Sequence, residues 1–298
     1  MNKEKLAFMV ERSKPVILLA PALLVLFFST VVPAITALYW SFFQVPLGQP
    51  LKYVGLGNFI ELFSNDVFRS AIFNTFLFSA LIVVGQVVVG YLAALLLSTE
   101  FPFQKFLVSV LMMPYVVSPV VAVIIWKYML RYDAGIINYL VRALHILDGV
   151  SWATDPLHAW VVVVLIAIWL RYPFTFLISY SAIMGLPKSI FEAAHLDGAS
   201  NFQVIRQIIV PLTTPALMIG SIFSFIFAFR SFDVIWLLTK GGPIRATELL
   251  STFLYKQAFV HWDTGLAAAT AFVMAVCTII ISILHLKMTS LKKRNKHA

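Results

Sequence analysis

Residues 185 to 211 read Gly185-Leu-Pro-Lys-Ser-Ile-Phe-Glu-Ala-Ala-His-Leu-Asp-Gly-Ala-Ser-Asn-Phe-Gln-Val-Ile-Arg-Gln-Ile-Ile-Val-Pro211. This more polar stretch lies between two apolar runs, near 158–185 and 211–232. Each run exceeds the roughly 20 helical residues needed to cross a hydrocarbon layer of roughly 30 Å. A chain that leaves one such run, makes a polar turn and enters another is threading a membrane. Inside the turn, Ser189 with Glu192 fits S-x-x-E and Ser200 with Gln203 fits S-x-x-Q, the spacing of reciprocal helix N-caps. Gly198 falls just past the first helical stretch, where a left-handed C-terminal cap is wanted. The pattern predicts helix, sharp break, helix.

Four further apolar runs, near 16–38, 71–97, 106–128 and 264–286, bring the total to six. They predict an all-α polytopic membrane protein with six transmembrane helices. Composition agrees: hydrophobic residues are 61% and charged residues 12% of 298, against roughly 45–50% and 25% in soluble domains. A mean hydropathy of +0.92 is tolerable only where lipid replaces water. The first run is too long for the core of a cleavable signal peptide, so it reads as a retained helix. No low-complexity linker or internal repeat interrupts the chain. Residues 1–298 therefore read as a single transmembrane domain, with its core about 71–286 and a cytoplasmic loop about 186–210.

The net charge of +9 comes largely from two tails: Lys3, Lys5, Arg12 and Lys14 before the first run, and Lys287, Lys292, Lys293, Arg294 and Lys296 after the last. This clustering argues against nucleic-acid binding and places both termini in the cytoplasm by the positive-inside rule. The internal loops do not share the bias, so orientation rests on the tails. Trp40, Trp126, Trp160 and Trp262 fall near outer span ends, as interfacial anchors do. Pro114, Pro119 and Pro173 withhold backbone donors, so spans three and four are expected to line the protein interior. Between Tyr53 and Ser70, Phe59, Leu62, Phe63 and Val67 recur at helical spacing, which predicts a short helix on the outer surface.

The order Glu192-Ala193-Ala194, three residues, Gly198, nine residues, then Ile208-Ile209-Val210-Pro211 resembles the E-A-A loop of bacterial ABC import permeases. Val210 replaces the family's leucine in that last motif. The resemblance implies a type I importer permease fold and coupling helices that dock on an ATP-hydrolysing subunit. Glu192, Ala193, Ala194, Asp197 and Gly198 would make that contact, with Ile190, Phe191 and Leu196 adding apolar area. From the residues alone, Glu192 could equally serve only as a cap and the alanines only favour helix. Tyr53-Val-Gly-Leu-Gly-Asn-Phe59 and Phe232-Asp-Val-Ile-Trp-Leu-Leu-Thr-Lys-Gly-Gly-Pro243 are similar to the carbohydrate branch, and the second is similar to the first maltose-type permease. The resemblance thus implies a sugar importer, mostly for oligosaccharides, in the bacterial cytoplasmic membrane. Its partners would be a second, different permease, two ATPase subunits and an extracellular sugar-binding protein.

No G-x-x-x-x-G-K-[ST] phosphate loop occurs, so ATP and Mg are expected on partner ATPase subunits and no cofactor on this chain. H-E-x-x-H, G-x-S-x-G and metal-ligand Cys/His spacings are also missing, the six histidines are scattered, and the lone Cys277 lies inside the last run. An enzyme is not expected, and no catalytic or metal residues are assigned. An ion-coupled carrier would bury acidic residues, whereas spans two, three, five and six have none in their interiors.

Along the fifth run, Ser221, Ser224, Ala228 and Ser231 recur at intervals of three or four, a small and partly polar stripe. Close helix packing and a substrate path both explain such a stripe. The family resemblance implies the path, through Ser224, Ala228 and Ser231. In the fourth run, Trp169-Leu170-Arg171-Tyr172-Pro173-Phe174 sets a charge at mid-membrane depth, so Arg171 must meet a cavity, a carboxylate or carbonyls. Trp169, Tyr172 and Phe174 offer ring faces to a sugar or to ordinary packing; the resemblance implies an aromatic contact at Phe174.

Overall fold

The structure is a computed structural model and describes residues 18–44, 50–99, 102–145, 149–152 and 154–294. The N-terminal cluster Lys3, Lys5, Arg12 and Lys14, and Lys296, lie outside the described residues. Contacts divide the chain into two compact units, one within Met1–Ser64 and Leu254–Met274, the other within Asn65–Phe253 and Ala275–Ala298.

In the first unit, α1 (Leu18–Trp40) leads into a two-stranded antiparallel hairpin, β1 (Phe43–Gln44) and β2 (Lys52–Tyr53), with Phe43 opposite Tyr53. Helix α2 (Gly57–Ser64) follows. The Asn58 amide, buried at its start, donates to the carbonyls of Ser41 (2.8 Å) and Phe43 (2.9 Å), which ties α2 to the hairpin. The helix expected between Tyr53 and Ser70 ends sooner than its apolar spacing suggests. Asn65 turns extended and its side chain accepts the N–H groups of Val67 (2.9 Å) and Phe68 (3.3 Å). That cap starts a new helix, so Val67 belongs to the next element and only Phe59, Leu62 and Phe63 to α2.

The second unit is built on α3 (Asp66–Leu97) and α7 (Pro156–Met184), the most extensive helix pair. Between them lie α4 (Gln104–Val116), α5 (Pro119–Met129) and the short α6 (Ile136–Ala143). After α7 come α8 (Lys188–Leu196), α9 (Asn201–Val204), a π turn (Ile205–Ile209), α10 (Val210–Phe229) and α11 (Asp233–Leu238). Helices α12 (Leu250–Phe259) and α13 (Thr264–Arg294) complete the chain. Asp155 caps α7 by accepting the His158 N–H at 3.0 Å, and that bond holds its carboxyl below the ordinary carboxylate range. The π turn precedes Pro211, which lacks the N–H that an α-helical bond to Gln207 would need.

Among the described residues, five helices are long and apolar enough to cross a membrane, six if the bent pair α4 and α5 counts as one crossing. The run expected as one span over 106–128 is thus two helices meeting at 96°. Its break is at Val117 and Ser118, both extended, immediately before Pro119. Proline disfavours helical backbone in the residue before it, so the helix stops there. Pro114 and Pro173 stay inside α4 and α7 and are both buried.

One core cluster gathers Phe78 and Ile82 of α3, Ala122 and Val123 of α5, Val163, Ile166 and Ala167 of α7, Ala228 of α10 and Ile235 of α11. Two of the four expected interfacial tryptophans belong to this packing. Trp126 meets Trp169 edge to face at 5.6 Å, and the Trp160 indole donates to the Ala246 carbonyl at 2.9 Å. Trp40 and Trp262 remain exposed.

Candidate functional site

Between α3, α4, α5, α7, α10 and α11, within the second unit, lies a cavity of about 210 Å³. Its apolar wall includes Pro114, Val117, Pro119, Phe174 and Phe227; its polar wall is Gln86, Tyr115, Arg171, Ser224, Ser231 and Asp233. Val117, at the break, and Pro119, which follows it, both line this space. Arg171 is half-buried and shares the cavity lining with the carboxylate of Asp233, in the first turn of α11. A guanidinium in an apolar bundle thus has both a cavity and a counter-charge.

Arg171, Phe174, Ser224 and Ser231 come together on this cavity. Trp169, Tyr172 and Ala228 do not line it. Trp169 packs on Trp126, Ala228 is fully buried in the core cluster, and the Tyr172 hydroxyl donates to the Leu111 carbonyl of α4 at 2.9 Å. Successive α-helical positions are about 100° apart, so Trp169 and Tyr172 leave α7 on other faces than Arg171 and Phe174. Sequence reasoning missed Gln86, Tyr115, Phe227 and Asp233. Gln86 carried a readable signal, as an amide in the interior of an otherwise apolar span.

The second candidate surface is the loop from α8 to α9. Glu192, Ala193 and Asp197 are exposed, and Leu196 projects with 89% of its surface free. Ala194 instead faces inward, buried against Val204 and Ile209. Gly198 adopts φ +76°, its N–H donates to His195 O (3.0 Å) and the Ala199 N–H donates to Ala194 O (2.9 Å). These are the two bonds of a Schellman stop. The Ser200–Gln203 capping box forms, with the Ser200 N–H on Gln203 Oε1 at 2.7 Å. The Ser189–Glu192 box does not. Pro187, extended, stands at the helix start and puts Ser189 inside the first turn, too late to cap it.

A polytopic helical bundle with a half-polar cavity and an exposed helix–break–helix loop is the membrane subunit of a transporter. A family model described as "Binding-protein-dependent transport system inner membrane component" matches residues 86–288, and the chain belongs to this family of ABC transporter permeases. It is a transport subunit and not an enzyme. The inner membrane ABC transporter permease protein YcjO of Escherichia coli (strain K12) is 32% identical over 279 residues, covering 92% of this chain and 94% of the relative. The sulfoquinovosyl glycerol transport system permease protein SmoG of Agrobacterium fabrum is 28% identical over 284 residues, covering 95% and 92%. The fold matches a chain of a bacterial alginate ABC transporter, solved with its alginate pentasaccharide-bound periplasmic protein, at TM-score 0.83 and 22% identity over 94% of this chain and 95% of that one.

Proposed function

We propose that this chain is one of two different permease subunits of an ATP-driven sugar importer, and that the cavity is part of the path its substrate takes. The observation that carries the sugar reading is the cavity lining: ring faces of Phe174 and Phe227 beside the hydroxyls of Ser224 and Ser231 and the Gln86 amide. Saccharides present apolar C–H faces and a belt of hydroxyls, and such a surface meets both. SmoG and the alginate transporter, whose names specify sugar derivatives, support the same class. An oligosaccharide is favoured by the maltose-type resemblance.

In this reading α8, with Glu192, Ala193, Asp197 and Gly198, docks on an ATPase subunit that binds ATP and Mg; this chain holds neither. An extracellular sugar-binding protein delivers the substrate. Both termini lie in the cytoplasm of a bacterium, and both compact units belong to one permease domain. Uptake of labelled mono- and oligosaccharides by cells expressing this chain with its neighbouring genes tests the reading. Saturable, ATP-dependent uptake of at least one sugar is expected; uptake of only amino acids or inorganic ions would overturn it.

A further inference from the structure

Helix α6 (Ile136–Ala143) is amphipathic in the wrong sense for a helix bathed in water. The residues it exposes are Ile136, Tyr139, Leu140, Ala143 and, just past its end, Leu144. They stand at i, i+3, i+4, i+7 and i+8, which is a single helical face, and none of them is charged. The side turned inward is polar. Asn138 is fully buried; its amide donates to the carbonyls of Leu130 (3.2 Å), Arg131 (3.0 Å) and Val150 (3.1 Å), and its oxygen accepts the Val150 N–H at 2.8 Å. Arg142, the one charged residue of the helix, donates to the Tyr132 carbonyl at 2.7 Å and lies over the Tyr132 ring, 4.8 Å from its centre. These bonds fix the rotation of α6 and hold its apolar face outward.

The position and chemistry of that face point to lipid. Helix α6 continues directly from a membrane crossing: α5 belongs to the bent pair and exposes Val121, Ile124, Ile125 and Tyr128. Gly135, at the start of α6, sits so near the end of α5 that a Cβ there would fall 2.5 Å from Met129 O. Tyr128, Tyr132 and Tyr139 are all exposed along this path, and tyrosine is enriched at the headgroup level of membranes. A transient protein interface is about as polar as the rest of a protein's surface. The exposed side of α8 fits that description, mixing Lys188, Glu192 and Asp197 with Leu196; the α6 face does not. We propose that α6 is an interfacial anchor. Its apolar face lies in the headgroup layer of the leaflet at the end of the bundle opposite α8, since the unbroken α7 runs from the one to the other. Through Asn138 it holds the end of α5 at that level. The anchor is independent of what the cavity carries.

The test uses the complete transporter, purified with its partner subunits and reconstituted into nanodiscs of phosphatidylethanolamine and phosphatidylglycerol. Ile136→Cys, Leu140→Cys and Leu144→Cys, each in a Cys277→Ser background, carry a nitroxide label. Electron paramagnetic resonance measures its collisions with oxygen, which partitions into lipid, and with a water-soluble nickel chelate. Asp133→Cys, on the exposed link before α6, is the aqueous control. Labels on the face are expected to meet oxygen in preference to nickel and to lie about 5–10 Å into the boundary between headgroups and acyl chains. Retained ATP hydrolysis reports assembly, and three positions keep the face sampled if one label disturbs the complex. Preference for nickel at any assembled position puts the face in water, and shielding from both agents puts it against the second permease or the binding protein. Either result overturns the anchor.

Discussion

Ser231 lies past the end of α10, is 4% exposed, and lines the cavity while its carbonyl accepts the Ser251 hydroxyl at 2.6 Å. Ser231→Phe places a ring in a space of about 210 Å³. Overpacking of this kind costs about 1–3 kcal/mol where neighbours must shift, and here it also obstructs the path. Uptake is expected to fall at least about tenfold, with ATP hydrolysis as the control for assembly; unchanged uptake would mean that the serines serve helix packing. Tyr172 makes the opposite case. Its hydroxyl ties α7 to α4 through the Leu111 carbonyl, so Tyr172→Phe should cost about 1 kcal/mol of stability and leave the choice of substrate unaltered. Thermal unfolding of the purified complex beside a sugar-uptake panel separates the two effects. The sequence placed Arg171 and Phe174 together with Trp169 and Tyr172 as one motif. Helical geometry splits that motif, and a segment read in one dimension cannot show which of four neighbouring side chains turns to which partner.

At the scale of elements, the stop at Gly198 separates α8 from α9. A side chain there meets open space, yet φ +76° is a conformation that L residues avoid at about 1–2 kcal/mol. Gly198→Pro also removes the donor to His195 O and locks φ near −65°, so the two helices cannot keep their angle. Uptake and stimulated ATP hydrolysis are expected to fall together in this variant and in Glu192→Lys, with membrane insertion retained on fractionation. Normal activity in both would contradict docking through α8. The α3–α7 pair depends on another glycine. A Cβ on Gly90 would come within 2.8 Å of Phe176 N and 2.9 Å of Tyr172 O, backbone atoms that a rotamer change cannot move. Gly90→Leu should therefore separate the helices and lower the unfolding temperature of the complex, by an amount corresponding to about 1–3 kcal/mol or more. The glycine stop and the Ser200 cap were legible because both depend on residues a few positions apart. The failed Ser189 cap was not, since Pro187 had already set where α8 begins.

At the scale of the molecule, the loop proposed to meet the ATPase carries Leu196 at 89% and Phe202 at 68% exposure, apolar surface that such a partner would cover. Tagged chain expressed with its neighbouring genes is expected to co-purify with a different permease and an ATPase, and to hydrolyse ATP only in that assembly. A transport-competent homodimer without any ATPase would contradict this.

The sequence by itself determined the membrane class, the position of the apolar runs and the helix–break–helix loop. Hydrophobic length, proline and left-handed glycine act locally, through the lipid and through bonds between near neighbours. Even the 96° bend had its signal in Pro119, although an unbroken apolar composition hid it. Only the tertiary structure decided which residues share the cavity. Gln86, Tyr115, Phe227 and Asp233 join Arg171, Phe174, Ser224 and Ser231 from five helices and the turn after α10, spread over 148 positions, residues 86 to 233. Packing decides such a meeting, because a side chain's direction is set by the rotation of its whole helix against neighbours that lie far away along the chain.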